Sequence, residues 1–294
     1  MAAQRIAPEH PQDAVDLLAS VSFRDEPRLG DEIFAPLVEA GGALRWELLS
    51  MAQQAAIYEE LVEVVEVDGH WLMMFLSQRS ATHPLEVIDL FRSRILKAEA
   101  LERPGAYQPT PFHWDVPLRI REDGDFLPVL RGLRDWISES ESWVRHEMAA
   151  RLFAAAAGGF DDAILALLRE GLAGASQVSV DGVAGILRKA PRTIVYSEVP
   201  FVLEALDAAA RFGDDCEQTM RGALWAATIT GSRMGTPGEP FPEDVQQRDE
   251  CAKIATTLPK GSPGETFYKA LSESAQENIR RHAEMDARDD RREW

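Results

Sequence analysis

The chain has 294 residues, room for roughly two average domains or one elongated array, and its 45% hydrophobic and 27% charged content excludes disordered, collagen-like and low-complexity classes. Thirty-one Lys and Arg against 49 Asp and Glu leave a net charge of −18, which disfavours unaided binding to nucleic acid or anionic membrane, because that affinity comes from cations that neutralise phosphates. Two cysteines, Cys216 and Cys251, are too few for a disulfide scaffold and fit a reducing compartment.

In chain order, the start MAAQRIAPEHPQD has no apolar leader core. The strongly apolar run Trp71 to Leu76 is far short of the ~20 residues that span a bilayer. A cytoplasmic location is expected. Apolar residues recur at spacings of three and four in 13–21, 32–40, 43–52 and 84–96, each an amphipathic helix pattern. The Val-rich stretch 61–76 fits strand or helix and is assigned helix, and 193–196 is a short β-branched stretch. Pro104, Pro109, Pro111 and Pro117 then stop the helical pattern. They make residues 103–124 an extended connector between an N-terminal helical region, 1–102, and the remainder, 125–294. Tyr107, Phe112 and Trp114 predict that this connector packs along the helices.

Beyond residue 125 a two-helix unit of about 37 residues recurs. Its first helix is VLRGL (129–133), ILALL (164–168) and VLEAL (202–206); its second is MAARLF (148–153), GVAGIL (182–187) and MRGALW (220–225). The second helix has a small column (Ala150, Ala184, Gly222), a branched aliphatic column (Leu152, Ile186, Leu224) and a large column (Phe153, Leu187, Trp225). Small residues admit a neighbouring helix while large ones fill the space between, as stacked hairpins require. Gly158-Gly159, Pro191 and Gly231 end the second helices. A fourth unit pairs 245–258 with a helix opened by Ser262 as N-cap, Pro263 and Glu265. That helix carries Phe267, Leu271, Ala275 and Ile279 on one side and ends in the polar ARDDRREW, as a capping repeat should.

The segment WVRHEMAARLFAAAAG (143–158) resembles the second-helix pattern of HEAT repeats, in Val144, Arg145, Ala149, Ala150 and Leu152. The resemblance covers residues 125–294, although the other units have Val180-Asp181 and Gln218-Thr219 where the Val-Arg pair would stand. It implies an all-α, HEAT/armadillo-like α-α solenoid of stacked helical hairpins used as a binding surface, without catalytic residues. The whole chain also looks like the C-terminal helical arm of bacterial multidomain NTPases of the defence or signal-sensing kind. That likeness implies a sensing or regulatory role.

Catalytic signatures are sparse. The six histidines do not pair with each other or with Cys at metal spacing, and His146-Glu147 lacks a second histidine because Ala150 holds that position. Cys216 lies near a helix start, where the dipole favours a thiolate, yet Asp214, Asp215 and Glu217 should raise its pKa, so a structural role is expected. No Gly-x-Ser-x-Gly elbow or phosphate loop occurs. Acidic pairs such as Asp161-Asp162 and Asp214-Asp215 read as helix starts. Trp114, Trp136 and Trp143 lie at or outside the column edges, where they either pack or belong to a recognition surface, and the Gly- and Pro-rich insertion 231–244 reads as a stiff connector or, alternatively, as a binding loop at the solenoid edge.

The chain is therefore expected to be a non-enzymatic scaffold for a protein or peptide partner, with no cofactor. The expected contacts are Trp143, Arg145, Arg188, Gln218, Arg221 and Arg233, through aromatic anchoring and charge-assisted hydrogen bonds; the alternative for the HEAT-like arginine is a brace to a neighbouring repeat through an acidic partner. The alternatives are the NTPase-linked sensing arm and a HEAT-like DNA glycosylase. The net acidity weighs against the glycosylase, although Arg145, Arg151, Arg188, Lys189 and Arg221 could form a basic strip.

Overall fold

The computed structural model describes residues 2–24, 27–38, 44–101, 104–140, 142–174, 176–229, 236 and 239–289. The fold is all-α, with no strand among the described residues. The chain divides into two compact units, 1–159 and 160–294.

The first unit contains α1 (Ala2–Ile6), α2 (Pro11–Ala19), α3 (Pro27–Val38), α4 (Met51–Glu63), α5 (His70–Ser80), α6 (Pro84–Ala100), α7 (Phe126–Ile137) and α8 (Trp143–Ala157). Helix α6 is its centre and packs against α4, α5, α7 and α8. It can do so because Val87, Phe91, Ile95 and Ala98 give it a buried stripe, and Ile88, Leu90 and Arg94 widen that stripe beyond one face. Phe34 of α3, Trp46 and Phe75 of α5 stack with ring centroids 4.7–4.8 Å apart and close the other end of this core.

The stretch 61–76, expected to be one helix, is divided. Helix α4 ends at Glu63, and Val64 is extended at φ −60°, ψ 134°. Buried Val64 and Val67 hold the turn down before α5 begins at His70. A carboxylate from elsewhere, Asp31 of α3, accepts from the backbone N–H of Trp71 and Leu72 at 2.7 and 3.0 Å and satisfies the start of α5. A Cβ at position 69 would lie 2.5 Å from that carboxylate, so the cap requires Gly69.

The Pro-rich segment runs within the first unit, with one-turn 3-10 helices at Pro104–Ala106 and Ile120–Glu122. It is packed on the helices: Tyr107, Leu118 and Ile120 are buried, and the Gln108 N–H donates to the Val65 carbonyl at 2.9 Å.

The second unit contains α9 (Asp162–Leu172), α10 (Gln177–Leu187), α11 (Ile194–Ser197), α12 (Val199–Ala210), α13 (Asp214–Thr228), α14 (Pro242–Thr257) and α15 (Pro263–Asp289). The β-branched stretch at 193–196 thus becomes the short α11. Helix α9 packs on α10 and α12, α10 on α13, α12 on α13 and α15, and α14 on α15. Asp161 caps α9 by accepting from the Ile164 N–H at 3.2 Å. Ser262 caps α15 in the same way, at 3.1 Å from the Glu265 N–H. The Glu265 carboxylate reaches back to Gly261 rather than to Ser262.

The branched column is buried throughout, at Leu152 in the first unit and at Ile186 and Leu224 in the second. The other two columns fail in α13. Gly222 is exposed with open space where its Cβ would stand, and Trp225 is only half-buried. The buried small residue of that turn is Ala223. The expected breaker Gly231 lies outside the described residues.

A candidate partner-binding groove

Helix α8 begins beside residues 105–110 and the last turns of α6, and together they border a groove of about 430 Å³. Its apolar floor comes from Ala98 of α6, Tyr107 of the Pro-rich segment, and Val144 and Met148 of α8. Trp143 is 68% exposed and Phe112 66% exposed, and both line the opening. The sequence produces this surface because Trp143 is the first residue of α8, whereas Val144 and Met148 share the face turned toward Tyr107.

The floor is held from behind by Arg94. Its guanidinium is fully buried and donates to the carbonyls of Val64 (2.9 Å), Gln108 (2.5 Å), Pro109 (3.1 Å) and Leu61. Its Cζ sits 4.7 Å from the Tyr107 ring centroid. The Tyr107 hydroxyl donates to the Val62 carbonyl at 2.5 Å. Burial pushes that phenol up to about 12 despite the attraction of Arg94. At the groove itself, Arg151 lies over Phe112 with Cζ 5.8 Å from the ring centroid and bonds Glu147 at 3.1 Å.

The residues expected to contact a partner have separate fates. Trp143 lines the groove. Arg145, expected on an exposed face, has a side chain only 14% exposed, because Glu99 of α6 accepts from it at 2.7 and 3.0 Å and Trp136 stacks beneath it at 5.0 Å. It braces α8 on α6. Trp136, one of the column-edge tryptophans, takes the packed alternative and is buried between Arg145 and Arg92. Arg188 and Gln218 are exposed on α10's end and on α13. Arg221 is half-buried, 3.3 Å from Glu217 and 3.4 Å from the Pro263 carbonyl. Arg233 lies outside the described residues. Sequence reasoning missed the apolar groove residues Val65, Tyr107 and Met148; the aromatics of the Pro-rich segment were the available signal.

The Arg145 bridge gives a testable pH dependence. Burial raises the Glu99 carboxyl, but hydrogen bonds from Arg145 and Ser140 outweigh it and hold the group below its ordinary 4.5. A carboxyl depressed by folding stabilises the fold above its unfolded value and loses that contribution as pH falls below it. Arg145→Ala is expected to cost about 1–3 kcal/mol near neutral pH. That penalty should shrink below pH 4.5, which urea titrations at two pH values will read.

Cys216 is held protonated for a reason other than its sequence neighbours. It is buried, and its thiol donates to Asp181 of α10 at 3.4 Å. Burial first, then Asp181, pushes it up to about 12, and burial pushes Cys251 equally high. An unfolded chain releases these protons near 9, so the folded state holds more protons between 9 and 12 and loses stability as pH rises through that window. Both thiols should react with a chromogenic disulfide reagent only at the rate of unfolding. Rapid labelling of native protein would contradict this. His146 is held by the Ser140 carbonyl, 2.5 Å from its Nε2.

Among the described residues no group of three His, Cys, Asp or Glu is placed to hold a metal ion, and no helix is long and apolar enough to cross a membrane. Comparison with protein-family models, with curated proteins and with solved structures finds no match. The groove must therefore be interpreted from its own chemistry.

Proposed function

We propose that this chain is a non-enzymatic, HEAT-like helical-repeat module that binds a protein or peptide through the groove at the start of α8. Stacking of hairpins is supported in the second unit, where the first helices α9 and α12 touch each other and the second helices α10 and α13 do the same. One observation carries the binding reading: Trp143 and Phe112 stand exposed at the mouth of an apolar groove. Exposing large aromatics costs free energy in an isolated protein, and Trp, Phe, Met and Arg are the side chains enriched where partners dock. The glycosylase alternative is less well supported, since three of its five basic residues, Arg145, Arg151 and Arg221, each face a carboxylate, of Glu99, Glu147 and Glu217.

The test places a photo-crosslinking phenylalanine analogue at position 112 or 143, and at the exposed position 188 as a control. In native lysate, the groove positions should form a discrete protein adduct that the control does not. Adducts of equal yield from all three positions, or from none, would remove the groove from this role.

A further inference from the structure

The rings around the groove carry cations from within the chain, with one exception. Tyr107 has Arg94 and Lys97 over it at 4.7 and 5.0 Å, and Phe112 has Arg151 at 5.8 Å. Behind them, Trp136 has Arg92 and Arg145 at 4.9 and 5.0 Å. Trp143, the most exposed of these rings, has no such cation among the described residues. Indole gives the strongest cation–π attraction of the aromatic side chains.

The charges at the groove favour the same occupant. Its lining contributes two charged side chains, Glu66 and Arg151. Arg151 is already bonded to Glu147, whereas Glu66 is exposed and has no ion pair among the described residues. The first 159 residues hold 15 Lys and Arg against 26 Asp and Glu, so the surrounding field attracts cations and repels anionic segments. The remaining lining is mostly apolar, with exposed Val65 and half-buried Met148 available to an uncharged side chain and Gln108 and Thr110 as its polar members.

Resting on the binding role proposed above, we infer that the groove's partner is a basic–apolar peptide segment, with a Lys or Arg laid on Trp143 near Glu66 and an adjacent aliphatic or aromatic side chain over Val144 and Met148. The cation pairs with the open Trp143 ring, and the apolar neighbour covers the part of the groove, Met148 and Val65, that water still reaches. An acidic segment would set its carboxylates against Glu66 and leave Trp143 without a charge partner.

The probe is a phage-displayed random peptide library selected on the full chain, with parallel selection on Trp143→Ala. Trp143 is exposed, so this variant should keep the wild-type circular dichroism; Glu66→Lys serves as a second variant that leaves the apolar floor intact. Peptides enriched on wild type alone should carry Lys or Arg beside a large apolar residue. For a synthetic copy of one such peptide, Trp143→Ala should weaken binding at least about tenfold, Glu66→Lys should weaken it too, and affinity should fall with added salt. Enriched peptides that depend on Trp143 but bind equally well with Glu in place of their basic residue would overturn this inference and leave the binding role standing. Failure to recover any Trp143-dependent peptide would overturn both. Self-association in sedimentation that Trp143→Ala abolishes would assign the groove to a second copy and also overturn the inference.

Discussion

Replacing Arg94 with Met is expected to destabilise the first unit by roughly 3–5 kcal/mol, because removing a buried charged donor leaves its acceptors uncompensated. Among the described residues no carboxylate is hydrogen-bonded to Arg94. Its charge is balanced by four carbonyl oxygens: Leu61 and Val64 at the end of α4, and Gln108 and Pro109 of the Pro-rich segment. The first two lie where the helix dipole is negative, which favours a cation there. The planar fork of guanidinium is needed to reach all four, so Arg94→Lys should recover only part of the loss. Burial lowers this group to about 10, and it remains charged at neutral pH. Hydrogen exchange is the appropriate readout, since a chain of two compact units need not unfold in one step. Amides of α4 and α6 should lose protection in Arg94→Met while those of α12 and α13 keep theirs. Unchanged protection in α4 would mean that the four carbonyls find other donors, and the staple would be dispensable. The same variant should loosen the floor of the groove, because Tyr107 belongs to one anchored segment and bonds Val62 of the other.

Truncating the branched column has the second large effect. Leu152→Ala, Ile186→Ala and Leu224→Ala should each cost about 2–5 kcal/mol, the loss of buried methyl groups plus the cavity left behind. All three side chains are fully buried. Gly222→Ala, one column away, should be neutral or stabilising by up to about 1 kcal/mol, since an exposed helical glycine gains propensity when a Cβ meets nothing. Thermal unfolding distinguishes the two classes directly. A large loss at Gly222→Ala would restore the small column to α13, and a silent Leu224→Ala would remove that residue from the core.

The helices and their local ends were legible because each depends on residues three or four apart. The apolar spacing of 84–96 lies within α6, the pattern at 245–258 falls within α14 but for its last residue, and Ser262 caps α15 through its own third residue. The all-α class follows from the same short period. Periodicity also placed Leu152, Ile186 and Leu224 inside, but it could not tell that Gly222 faces open space, since a small residue in a column is compatible with tight packing and with none.

Tertiary structure decided the rest, and the separations show why. Arg94 takes its acceptors from 14 to 33 residues away, Glu99 holds Arg145 across 46, and Asp31 caps α5 across 40. A guanidinium on a helix reads in sequence as a contact or as a brace alike, and only the approach of Glu99 decides for the brace at Arg145. The groove arose in the same way. Val65, Tyr107 and Met148 are apolar for ordinary local reasons, and they become one surface only where three distant segments meet beside an exposed Trp143. Short-range spacing carries the energetics of a helix, whereas pairing of buried charge and the shape of a groove are set by which segments meet. That is a property of the folded chain and of no window of its sequence.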